Sequence, residues 1–151
     1  MLNKDPSTLY RERESAAMEE AIEQAPLIGH GFGHAYKSPE GTPGTFFFDR
    51  GPYYGHNFYL WALVKTGFLG LACFLLAITP PLFRAIARPH DSVAVALASG
   101  AFGLLAISFV APMPSGSPTA VVLGGLVGAV GGLVTQKQSA SEPKTLAAAN
   151  P

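Results

Sequence analysis

Charge is what this chain has least of. From Asn57 to Thr135 the only charged residues are Lys65, Arg84, Arg88 and Asp91. Over all 151 residues, Asp, Glu, Lys and Arg make up 13%, where soluble domains hold about 25%. Eight of the ten acids lie before His56. A polar first third is thus joined to an apolar remainder, which excludes an ordinary soluble domain. Net charge is zero and no basic cluster exists; a nucleic-acid backbone needs concentrated Lys and Arg, so the sequence gives no reason to expect nucleic acid as a partner. The single cysteine, Cys73, lies in an apolar run. It can form no internal disulfide, and its surroundings favour an inert thiol. The opening residues hold no apolar leader core.

The apolar remainder reads as helices that cross a membrane. Residues 58–79 carry one charge and run into Pro80-Pro81, which should stop the helix. A span needs about 20 apolar residues, and Phe58, Tyr59 and Trp61 suit an interfacial aromatic belt. Residues 93–111 and 119–135 are uncharged and give a second and a third span. Gly124, Gly128 and Gly132 form a small-residue row in the third, through which helix backbones can approach closely. Residues 136–151 read as a disordered tail. Arg84 and Arg88 fall between the first two spans, and Lys137 and Lys144 follow the third. The positive-inside rule then puts that loop and the tail in the cytoplasm and the first third outside. About 55 polar residues would have to cross the membrane ahead of any span. The expectation is therefore that this is the C-terminal part of a larger multi-spanning protein, with further helices upstream.

Within residues 1–56, the stretch Glu12–Ala25 is rich in Ala and Glu, both strong helix formers. Met18, Ala21 and Ile22 share a face at helical spacing, so a short surface helix ending before Pro26 is expected. Residues 26–55 are loop by composition, with seven glycines and four prolines. Their many aromatics suit an ordered loop, packed or at the membrane interface.

Candidate chemistry gathers around this loop. His56-Asn57 stands at the mouth of the first span. Asn is a good N-cap; His is either an interfacial residue or a base at the lipid–water boundary. Arg11, Arg13 and Arg50 either pair with neighbouring acids or offer phosphate a fork of donors. His30 and His34 have the i, i+4 spacing of a zinc pair, but Gly29, Gly31 and Gly33 interleave with them and no third ligand is near. No metal and no cofactor is expected. Nor do those glycines form a dinucleotide fingerprint, which needs a strand–turn–helix setting. Lys65 lies about 12 Å along the helix from Asn57 at 1.5 Å per residue, either snorkelling to the interface or facing the protein interior.

The order of these features resembles the C-terminal region of the O-antigen ligase and polymerase family. The matching elements are Asp5 to Arg11, then Pro26-Leu27-Ile28-Gly29-His30-Gly31-Phe32-Gly33 fifteen residues after Arg11, then His56-Asn57-Phe58-Tyr59-Leu60, then Gly67 to Leu71. The resemblance covers about residues 5–75 and departs at Lys65, where the family often has Glu. It implies an all-α integral membrane glycosyltransferase of the bacterial inner membrane. Such an enzyme passes polysaccharide from an undecaprenyl pyrophosphate carrier to a hydroxyl on lipid A core or a saccharide, as in lipopolysaccharide biosynthesis. By the same resemblance His56 and Arg11 are catalytic, and Asn57, Gly29, Gly31 and Gly33 are substrate-binding candidates; Arg50 has no counterpart in the family pattern and is a substrate-binding candidate only as a forked phosphate donor six residues before His56. A pyrophosphate leaving group gathers negative charge that fixed arginines can stabilise. The partners are membrane lipid, the carrier-linked glycan and its acceptor. Two alternatives stand beside the ligase: a polysaccharide polymerase, and a non-catalytic truncated membrane protein.

Overall fold

The computed structural model describes residues 5–36, 55–87, 91–111 and 117–141, with residues 117 and 137–141 described by backbone alone. Arg50, Arg88 and the tail from 142 lie outside the described residues. Four helices and no strand occur among those described: α1 (Pro6–Gln24), α2 (Phe58–Ile86), α3 (Ser92–Ile107) and α4 (Ser117–Ser141).

Each of the first three helix starts has a local cause. Asp5 caps α1 by accepting from the Ser7 N–H at 3.3 Å, with Pro6 at the first helical position. Asn57 Oδ1 accepts from Tyr59 and Leu60 N–H at 2.9 and 3.2 Å and so caps α2. Asp91 caps α3 through the Ala94 N–H. α1 is longer than Glu12–Ala25, because the Asp5-Pro6-Ser7 start nucleates it a turn and a half earlier. It is also no free surface helix: Met18 and Ala21 are buried against Val64 of α2, and Glu14 is buried beside them.

Three boundaries differ from the sequence expectation. Pro80 and Pro81 do not stop α2, which runs on to Ile86. Interior proline costs about 3 kcal/mol or more, but Ile78, Leu82 and Ala85 are packed in one core on both sides of the pair, and packing neighbours are what let a spanning helix tolerate proline. α3 ends at Ile107 rather than Ala111, as residues 108–110 close into turns on Ala106 and Ile107 carbonyls. α4 runs past Thr135 to Ser141, into the segment expected to be tail.

Two of these helices are long and apolar enough to cross a membrane, Phe58–Ile86 and Pro118–Gln136; Ser92–Ile107 is apolar but shorter. Large apolar side chains face outward along them, including Phe68, Leu69, Leu76, Phe83 and Val121. A core helix of a soluble protein would bury these; their exposure suits lipid. The helices touch through Ala94, Ala98 and Ala101 of α3, which pack with Leu82 of α2 and Leu123 and Val130 of α4. The small-residue face that brings helices close is therefore the alanine row of α3. The glycine row of α4 points away, and a Cβ at Gly124, Gly128 or Gly132 would meet nothing within 4 Å.

α2 is broken at Gly67, whose φ of 63° and ψ of −172° lie outside the helical region. Such a break leaves backbone groups without helical partners, and inside a membrane each of them would cost several kcal/mol. The loop after α1 supplies them. His30 and Gly31 N–H donate to the carbonyls of Val64 and Lys65 at 2.8 and 2.9 Å, and Phe68 and Leu69 N–H donate to the carbonyls of Pro26 and Leu27 at 2.8 and 3.0 Å. Backbone meets backbone so closely that a Cβ on Gly29 would stand 2.6 Å from Gly67 N, and one on Gly67 would stand 2.4 Å from the Leu27 carbonyl. α1 and its loop are thereby fastened to the upper third of α2.

Candidate active site around His56

His56 sits where three elements meet. The chain rises to α2 through Gly55, which is buried over Met18 of α1; a Cβ there would lie 2.9 Å from the Met18 sulfur. The start of α2 is tied to the end of α3 by Phe58 N–H donating to the Ser108 carbonyl at 3.0 Å and the Tyr59 hydroxyl donating to the Leu105 carbonyl at 2.8 Å. The Tyr59 and Phe109 rings close the same corner at 4.4 Å.

Beneath His56 lies Glu14, 1% exposed. Its Oε2 accepts from the His56 backbone N–H at 2.9 Å and lies 2.9 Å from His56 Nδ1. Its Oε1 accepts from the Tyr36 hydroxyl at 3.2 Å. The imidazole keeps 29% of its surface open, and the Tyr10 ring stands edge-on to it at 6.1 Å. Tyr10, Glu14, Met18 and Ala21 fall on one face of α1 at spacings of four, four and three, so a single helix face supplies the floor of the site.

The other residues singled out in the sequence are distributed around this centre. Arg11 is exposed on α1, three residues before Glu14 and so on a neighbouring strip of the helix surface. Asn57 is the cap of α2. Gly29 and Gly31 belong to the repair of the α2 break, Gly31 with φ of 87°, and Gly33 is exposed with open space about it. Lys65 is buried and donates its ammonium to the His34 carbonyl, which adds a side-chain tie to the backbone ones. That geometry answers the choice between snorkelling and facing inward: the side chain turns to the protein.

His30 and His34 stack at 4.1 Å, and His30 Nε2 lies 2.8 Å from the Ala21 carbonyl, to which only an N–H can donate. His34 is held below the usual histidine range, first by partial burial and then by His30 and Lys65 nearby. No cluster of three or more His, Cys, Asp or Glu that could hold a metal occurs among the described residues.

Glu14, Tyr36 and Tyr10 were not singled out by sequence reasoning. Glu14 counted as one of several acids on a polar helix. The signal available was its position, four residues before Met18 on the face that also carries Ala21. An acid on an apolar helix face must be paired, and the pairing partner lay 42 residues on.

Residues 3–75 match the family model described as O-Antigen ligase, a span that holds Tyr10, Arg11, Glu14, Tyr36 and His56. No curated protein and no solved structure matches the chain.

Proposed function

We propose, from the match of residues 3–75 to the O-antigen ligase family model, that the chain works as the C-terminal part of a membrane glycosyltransferase. The glycan arrives on undecaprenyl pyrophosphate and leaves on a hydroxyl of lipid A core or of a saccharide. The acceptor oxygen attacks the anomeric carbon of the carrier-linked sugar, the carbon–oxygen bond to pyrophosphate breaks, and the pyrophosphate keeps the electron pair. The hydroxyl proton passes to the His56 imidazole. Arg11, exposed on α1 near the same face as Glu14, supplies the forked donor for the pyrophosphate as its charge grows. Arg50 and Gly33 are secondary candidates for contacts to the substrate. Asn57 and Gly29 have structural work in the α2 cap and the α2 break.

The site lies on the outer side of the bacterial inner membrane, with α2, α3 and α4 crossing it. This suits two substrates that are both anchored in lipid. The observation that carries the proposal is the partly open imidazole of His56, fixed on a buried carboxylate at the start of an apolar helix. The test is His56→Ala at the chromosomal locus, read out as polysaccharide on lipid A core at the cell surface. Loss of the ligated polymer with normal protein level is expected. Unchanged ligation removes His56 from the chemistry.

A further inference from the structure

We propose that Glu14 is the positioning residue of His56, holding the imidazole as the Nδ1–H tautomer so that Nε2 carries the lone pair. The inference rests on the reading of His56 as proton acceptor and adds the group that makes it one.

Two contacts converge on one oxygen. Glu14 Oε2 faces both the His56 backbone N–H and His56 Nδ1, each at 2.9 Å. The backbone N–H can only donate, so Oε2 is an acceptor there. Oε1 in turn accepts from the Tyr36 hydroxyl at 3.2 Å, and an ionised carboxylate can only accept at each of its contacts. Both oxygens thus act as acceptors, and Nδ1 must be the donor. A neutral imidazole has one N–H; with it at Nδ1, Nε2 is left as the basic nitrogen.

Placement keeps this arrangement stiff. Glu14 is 1% exposed and anchored on α1, whose Met18 lies under Gly55, the residue next to His56. Tyr36 closes the far side of the carboxylate and is itself buried, 3% exposed. The backbone tie of His56 to the same carboxylate keeps residues 55–57 on α1 and the imidazole beside its partner. The arrangement follows a general rule, in which a base is oriented by a third group within hydrogen-bond reach.

The test uses the full chain in phospholipid vesicles with 15N-labelled histidine, and His56→Gln to assign the His56 signals by difference. Solid-state NMR at neutral pH should show His56 protonated at Nδ1 and bare at Nε2. Glu14→Ala should move His56 toward the Nε2–H tautomer and lower kcat for glycan transfer about tenfold or more, the scale of a lost acid–base contribution, with KM within about twofold. Glu14→Gln guards against a folding failure. The His56 backbone N–H requires its carbonyl oxygen on that side, so it should keep the Nδ1–H tautomer and lose less rate than Glu14→Ala. A bare Nδ1 in the wild-type chain overturns the inference at once, whatever the variants do. An unchanged tautomer in folded Glu14→Ala also overturns it, even if His56→Ala abolishes transfer. A shifted tautomer with unchanged kcat supports the positioning and overturns the catalytic reading of His56 instead.

Discussion

Tyr36 and His34 show how much of this site rests on single polar contacts. Tyr36→Phe removes the donor to Glu14 Oε1 and leaves a buried oxygen with one partner fewer. Removing one partner of a buried hydrogen bond costs about 1–3 kcal/mol, and thermal unfolding in detergent should register it as a lower midpoint with the fold retained. His34 is held below its usual range by partial burial, His30 and Lys65. The folded loop therefore refuses a proton that the unfolded loop accepts. The stability tied to the neutral ring is present above the ordinary histidine value of about 6.5, and is lost as pH falls through the lower folded value. Hydrogen exchange at the His30 and Gly31 amides, corrected for intrinsic rate, should lose protection on going from neutral to acidic pH. Protection independent of pH, with His34→Gln behaving like the wild type, would count against this account. Arg11→Lys keeps a charge but loses the planar fork; a fall in transfer with carrier binding retained is expected, and an unaltered rate removes Arg11 from the site.

The break in α2 is the element on which the rest depends. Gly67 combines φ of 63° with a neighbour 2.4 Å from where a Cβ would stand. Gly67→Ala adds about 1–3 kcal/mol of backbone strain, because φ of 63° with ψ of −172° is open to almost no residue but glycine, and pushes the Leu27 carbonyl away from its Leu69 donor. Gly33→Ala meets neither obstacle. A clear drop in thermal stability for the first and almost none for the second is expected; equal stability of the two variants would mean that the loop does not repair the helix. Sequence reasoning reached this element only in part. The cap at Asn57 and the apolar run were legible because both are written in adjacent residues. The break was not, since a glycine inside an apolar helix is common and its partners lie some 40 residues earlier in the loop. The glycines of that loop were visible as a motif, but their work on the α2 backbone shows only when the two segments touch. Pro80-Pro81 misled for the opposite reason: a strong local stop signal yields to packing on both sides of it. Glu14 escaped because helix-face charges are usually solvated, and its partner is distant in the chain.

For the whole molecule, the number of crossings decides which side the site faces. The start of α2 and the end of α3 are bonded to each other, so α2 and α3 run antiparallel and α1 lies at their shared end. With three crossings, α1 and the end of α4 face opposite sides of the membrane; with α3 not crossing, they face the same side. In a chain with Cys73 replaced by Ser, a cysteine at Ser7 should react with a membrane-impermeant maleimide in intact spheroplasts, and one at Gln136 only after lysis. Labelling of both in intact cells would reduce the crossings to an even number and put the basic tail, with Lys137 and Lys144, on the wrong side. The central claim, that the Glu14-bound imidazole takes the acceptor proton at this outer face, has one direct measurement. The full chain in phospholipid vesicles, given undecaprenyl-pyrophosphate-linked glycan and lipid A core, should transfer the glycan about 10²–10⁴ times faster than its His56→Gln variant while both bind the carrier alike. Equal rates in wild type and His56→Gln would contradict the account.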